Sequence, residues 1–143
     1  RQLRPKALDN KGLKEALVHG PLHEILDDAG ITMETVFLGS LNTLQEDEKT
    51  AIYRICQTIT RQAISLNCIK LLKIDLHVND NAGSDDEVCL DIAISPIPEE
   101  RLMQLRVPLT AVQDRVLSVN GDYVVQIHGE ILRHRIIFQQ KTV

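Results

Sequence analysis

Apolar residues along the chain recur with two periods, and the alternation between them sets out the elements. Leu13, Ala16 and Leu17, then Leu22, Ile25 and Leu26, are spaced as on one helical face, predicting a first helix over residues 12–29. Pro21 after Gly20 should kink or interrupt it, because the ring removes an amide donor and clashes with the preceding turn. Gly30 supplies the stop. Ile31, Met33, Thr35 and Phe37 alternate with polar positions, as in a strand over residues 31–38 with one buried face. Thr43-Leu-Gln-Glu46 has the form of a capping box opening a second helix. That helix carries the stripe Ile52, Ile55, Cys56, Ile59, Ala63, suited to packing on a sheet.

Leu72, Ile74, Leu76 and Val78 then alternate, as do Val88, Leu90, Ile92 and Ile94, and the polar run from Asn79 to Asp86 between them predicts a hairpin. The pattern breaks from Ser95 to Pro108. A third helix with Leu109, Val112 and Val116 stops at Asn120-Gly121, and strands at 122–128 and 131–139 flank His128-Gly129-Glu130. Strands joined as hairpins with interspersed helices imply an α+β fold, a two-layer sandwich with a mixed sheet and its helices on one face.

A chain of 143 residues with 43% hydrophobic and 25% charged residues is one soluble, folded domain rather than a disordered or fibrous one. The net charge of −4 without a basic stripe, and only two Phe, two Tyr and no Trp, argue against nucleic-acid binding, leaving proteins or small molecules as partners. Cys56, Cys68 and Cys89 lack CxxC spacing, so reduced, buried thiols are expected rather than a disulfide framework or zinc cage. No apolar run approaches the roughly 20 residues of a membrane span. Residues 1–11 read as a polar junction preceding a domain at 12–143.

His19, His23 and Asp27 recur at i, i+4 and i+8, but Gly20-Pro21 disturbs the helix between the histidines, which argues against a metal site. His77, His128 and His134 have no acid, Ser or Cys partner that spacing connects to them. Asp91 points away from the core on the alternation of its strand, as a solvent-facing residue would. Cys56 falls on the buried helical stripe and reads as a small core residue.

Several segments resemble the sensor histidine kinases of the NarL group. Leu3-Arg4-Pro5, Leu8-Asp9, Gly12-Leu13 and Ala16-Leu17 match the junction between their dimerisation helices and ATP-binding domain. Ile52-Tyr53-Arg54-Ile55-Cys56-Gln57 is similar to the start of their nucleotide-site helix, and Leu109, Val112, Asp114-Arg115-Val116 and Gly121 to a later helix and turn. Residues 127–138 resemble the closing hairpin. The resemblance implies the Bergerat-type ATPase fold, a cytoplasmic domain whose parent is membrane-anchored or soluble, homodimerisation through upstream helices, and a phospho-accepting histidine upstream of Arg1.

Departures from the family pattern imply lost chemistry. Where the family has an acid and then a magnesium-binding Asn, this chain aligns Thr58 and Gln62, with Ser65 and Leu66 where a Lys-His pair follows. Thr58 is uncharged, and Gln62, one methylene longer than the family's Asn, is a poor replacement in a rigid octahedral magnesium shell. The family's Asp-x-Gly-x-Gly box is replaced by Ser95-Pro-Ile-Pro98, so Ser95 and Pro96 are degenerate site positions and two prolines, Pro96 and Pro98, stand where permissive backbone is needed. Residues 95–120, where a glycine-rich lid is expected, contain no glycine. The implied function is a degenerate histidine-kinase ATP-binding domain without cofactor or catalysis, acting in two-component signalling by contact with a receiver or another kinase. The alternative is a divergent active domain that binds ATP and magnesium through altered contacts. Residues 99–107 are expected to form a short helix or turn, its apolar side from Leu102, Met103, Leu105 and Val107 plugging the adenine position, with Glu99, Glu100 and Arg101 toward solvent.

Overall fold

The computed structural model describes residues 4–10, 12–79 and 86–141. Among the described residues, six α-helices, α1 (Lys6–Asn10), α2 (Leu13–His19), α3 (Pro21–Asp28), α4 (Glu46–Leu66), α5 (Leu102–Leu105) and α6 (Thr110–Ser118), accompany five strands. The strands are β1 (Thr32–Leu38), β2 (Leu71–Val78), β3 (Glu87–Ser95), β4 (Asp122–His128) and β5 (Ile131–Gln139), arranged β1-β2-β3-β5-β4 in one sheet. Among the described strands only β1 and β2 pair in parallel. The reason is their connection, since α4 carries the chain back along the sheet, whereas hairpins join β2 to β3 and β4 to β5. The mixed sheet and the α+β class agree with the sequence pattern. Residues 80–85, the interior of the predicted polar turn, and Leu3 lie outside the described residues.

Alternation on the three inner strands produces the core. Leu72, Ile74, Leu76 and Val78 of β2, Val88, Leu90, Ile92 and Ile94 of β3, and Leu132, Ile136 and Phe138 of β5 are all buried. They meet the stripe Ile52, Ile55, Cys56, Ile59 and Ala63 of α4, which the sequence identified, together with Val112 and Val116 of α6. The other sheet face bears Lys73, Asp75, Asp91, Arg133 and Arg135 instead. Asp91 lies there as expected, but it is engaged, with Arg133 at 3.1 Å and Arg135 at 3.3 Å.

Four sequence expectations change in detail. The first helix is two, because Gly20 breaks it and Pro21 opens α3 at the position where a missing amide proton costs nothing. The capping box of α4 is shifted by two residues: Gln45 is the cap and its amide donates to Glu48 Oε1 at 2.8 Å. Thr43 instead occupies a 3-10 turn, its hydroxyl donating to the Ser40 carbonyl, while Glu46 faces Arg4 at 3.0 Å. Within residues 1–11, Leu8 of α1 is buried in the core, so the junction is partly built into the domain. The three thiols are free, but only Cys56 is fully buried; its thiol is pushed up to about 12 by burial.

Candidate functional site: a cleft beside α4

Helix α4 is amphipathic in a way that gives its two sides separate tasks. It begins with Glu46, Asp47 and Glu48 in the first turn, where carboxylates complement the helix dipole. It ends at Asn67 with φ 63°, a left-handed stop. The apolar stripe faces the sheet. Thr58, Arg61, Gln62 and Ser65 recur at i, i+3, i+4 and i+7 on another face, and together with Leu66 they form one wall of a cleft of about 470 Å3. Arg101, Gln104, Leu105 and Leu109 form the other wall. This volume lies in the range of small-molecule sites.

The second wall is the segment after β3. Past Ser95, Ile97 is buried and its amide donates to the Glu130 carbonyl at 2.9 Å. A 3-10 turn (Glu99–Arg101) leads into α5, as the sequence predicted for this stretch. Glu99, Glu100 and Arg101 are exposed, also as predicted. The plug, however, is incomplete. Leu105 is buried and Leu102 half-buried, but Met103 is 80% and Val107 62% exposed. A helix of four residues can turn only one side inward, so Leu102 and Leu105 at i, i+3 take it, and an open cleft is left against α4.

Side chains at the cleft are polarised by internal hydrogen bonds. The Thr58 hydroxyl donates to the Arg54 carbonyl at 3.0 Å, and the Ser65 hydroxyl to the Gln62 carbonyl at 2.7 Å. Gln62 reaches the buried His134 of β5, with 2.8 Å between Oε1 and Nε2. On its other side His134 Nδ1 lies 2.8 Å from the Tyr123 hydroxyl, which accepts the Leu109 amide proton at 3.2 Å. One assignment satisfies every group. Leu109 N–H donates to Tyr123, Tyr123 O–H to Nδ1, and Nε2–H to Gln62 Oε1, so His134 is neutral. Burial agrees, holding His134 down at about 4.

Of the four positions singled out for a degenerate nucleotide site, Thr58 and Gln62 lie together on the cleft wall, whereas Ser95 and Pro96 do not line it. Pro96 instead offers its carbonyl to Cys68 Sγ at 3.6 Å. His19 and His23 lie on separate helices, and no cluster of three His, Cys, Asp or Glu side chains able to hold a metal occurs among the described residues. Sequence reasoning missed His134, Arg61, Arg101 and Gln104. His134 had a legible signal: it occupies an inward position in the alternation Leu132-His134-Ile136, and a polar side chain on a buried strand face requires partners.

No protein-family model and no curated protein sequence matches the chain. Solved structures do. The catalytic domain of histidine kinase ThkA superimposes with a TM-score of 0.61 at 15% identity, covering 91% of this chain and 92% of that one. The Acinetobacter baumannii histidine kinase AdeS gives 0.60 at 16%, covering 93% of this chain and 66% of the other. The histidine kinase domain of the E. coli osmosensor EnvZ gives 0.57 at 16%, with 85% of each chain covered.

The fold is that of histidine kinase catalytic domains. Within this histidine kinase fold the described residues contain no helix long and apolar enough to cross a membrane.

Proposed function

We propose that this chain is a catalytic-type domain of a NarL-group sensor histidine kinase, or of a relative, that has lost ATP and magnesium binding. Its work is protein contact in signal transduction: docking a receiver or a second kinase at the cytoplasmic side, within a homodimeric parent. One observation carries the reading. Among the described residues no carboxylate lines the cleft, and the carboxamide oxygen of Gln62, the atom that would have to reach magnesium, is turned to His134. Magnesium takes hard oxygen ligands in a strict octahedron, and an uncharged Thr58 hydroxyl already donating to its own helix does not replace an acid.

The test is thermal denaturation with millimolar ATP and magnesium. A ligand at 100 times its Kd stabilises by about 2.7 kcal/mol, several degrees for a domain of this size. No shift is expected. A shift that EDTA abolishes establishes the second reading, a divergent active domain, which the open cleft between Thr58 and Arg101 favours.

A further inference from the structure

We propose that the cleft between α4 and α5 is a metal-independent site for a small organic anion, one carrying a carboxylate or phosphate monoester on an apolar body. The inference goes beyond the loss of nucleotide binding, because it concerns what the remaining side chains can hold. The Thr58 and Ser65 hydroxyls are spent on backbone carbonyls, so the donors that remain come from two carboxamides and two guanidinium groups. Gln62 has its oxygen on His134, and Gln104 has its oxygen on Arg101 Nε at 2.7 Å, which leaves the NH2 group of each carboxamide available to donate. Arg61 and Arg101 add two guanidinium groups on opposite walls, and no acid stands among the lining residues.

Glu99 and Glu130 line a separate cleft with Ile97 and Leu102. Leu66, Leu105 and Leu109 supply apolar surface to the anion site. Two guanidinium groups with carboxamide donors match one or two negative charges, since each guanidinium can pair with a carboxylate or phosphate through two parallel hydrogen bonds. A triphosphate without magnesium would leave charge unmatched.

Heteronuclear NMR titration in EDTA tests this with 1-naphthoate and 1-naphthyl phosphate as probes and 1-naphthalenemethanol as the neutral control. Either anion should give saturable shifts confined to residues 58–66 and 101–109, and the tighter of the two identifies the headgroup. Arg61→Gln and Arg101→Gln should each weaken binding about ten-fold, the loss of one charge-assisted hydrogen bond. Gln104→Glu, which places a carboxylate beside Arg101, should do the same. All three positions are exposed, so an unchanged melting temperature verifies the fold. The proposal is overturned if neither anion saturates at millimolar concentration, if the alcohol binds equally well, if the arginine variants bind like wild type, or if binding requires magnesium. Failure here leaves the loss of ATP binding standing, since that is read separately from the magnesium-dependent melting shift.

Discussion

His134 makes stability depend on pH in a window where few other buried groups titrate. It lies within an otherwise aliphatic row, paired with Ile92 on one side and Val125 on the other, and has no accessible surface. Its folded-state value of about 4 lies below the ordinary 6.5 because burial disfavours the imidazolium. The unfolded chain therefore binds a proton more readily. The stabilisation is complete above 6.5 and is lost as pH falls from 6.5 toward 4, with a limiting slope of about 1.4 kcal/mol per pH unit. Between pH 8 and pH 5 the loss comes to about 2 kcal/mol, obtained by integrating the one-proton difference over that range. Stopping at pH 5 avoids most carboxylate titration. Urea denaturation at both pH values, in wild type and His134→Gln, measures it: the variant is less stable at pH 8, because Tyr123 and Gln62 lose their partner, but its pH dependence should be shallower by about 2 kcal/mol. Equal pH dependence in the two proteins would refute a neutral, buried His134.

Other expectations follow from single contacts. At Gly39, φ is +89° and an added Cβ would lie 1.8 Å from the Val78 carbonyl oxygen, so Gly39→Ala should cost at least about 2 kcal/mol in denaturant melts. Glu48 is fully buried and accepts from the Gln45 amide through Oε1 and from the Lys141 amide through Oε2, at 2.8 and 3.0 Å. Glu48→Ala should cost about 2–4 kcal/mol and accelerate hydrogen exchange at Lys141. The pair Thr58→Glu and Gln62→Asn should not gain magnesium-dependent ATP binding, checked by calorimetric titration, because the segment after Ser95 remains unsuited.

What the sequence made legible follows the physics of periodicity. The Val88-Leu90-Ile92-Ile94 alternation and the Ile52-Ile55-Ile59 stripe are long and regular, and both became core. Short polar signals were less decisive. Thr43 and Glu46 have the same spacing as Gln45 and Glu48, and only tertiary contacts decide between them: the buried Glu48 also anchors Lys141, whereas Glu46 is drawn outward to Arg4. The cleft was half legible. Thr58 and Gln62 were found through family resemblance, but Arg101 and Gln104 meet them only because the chain folds back after β3, a contact no local spacing encodes.

The relation between Gln62 and His134 bears on how freely the cleft can change. Thr58, Arg61 and Ser65 are on the side of α4 away from its buried stripe, so substitutions there leave the packing of Ile52, Ile55 and Ile59 untouched. Gln62 differs because it joins the cleft to the core. Replacing it by Asn shortens the side chain by one methylene, and the 2.8 Å contact to His134 cannot persist without movement of helix or strand. A buried Nε2–H would then lack an acceptor, at a cost of about 1–3 kcal/mol. The glutamine length is therefore fitted to His134 and Tyr123, and an asparagine at this position would require the histidine to change with it.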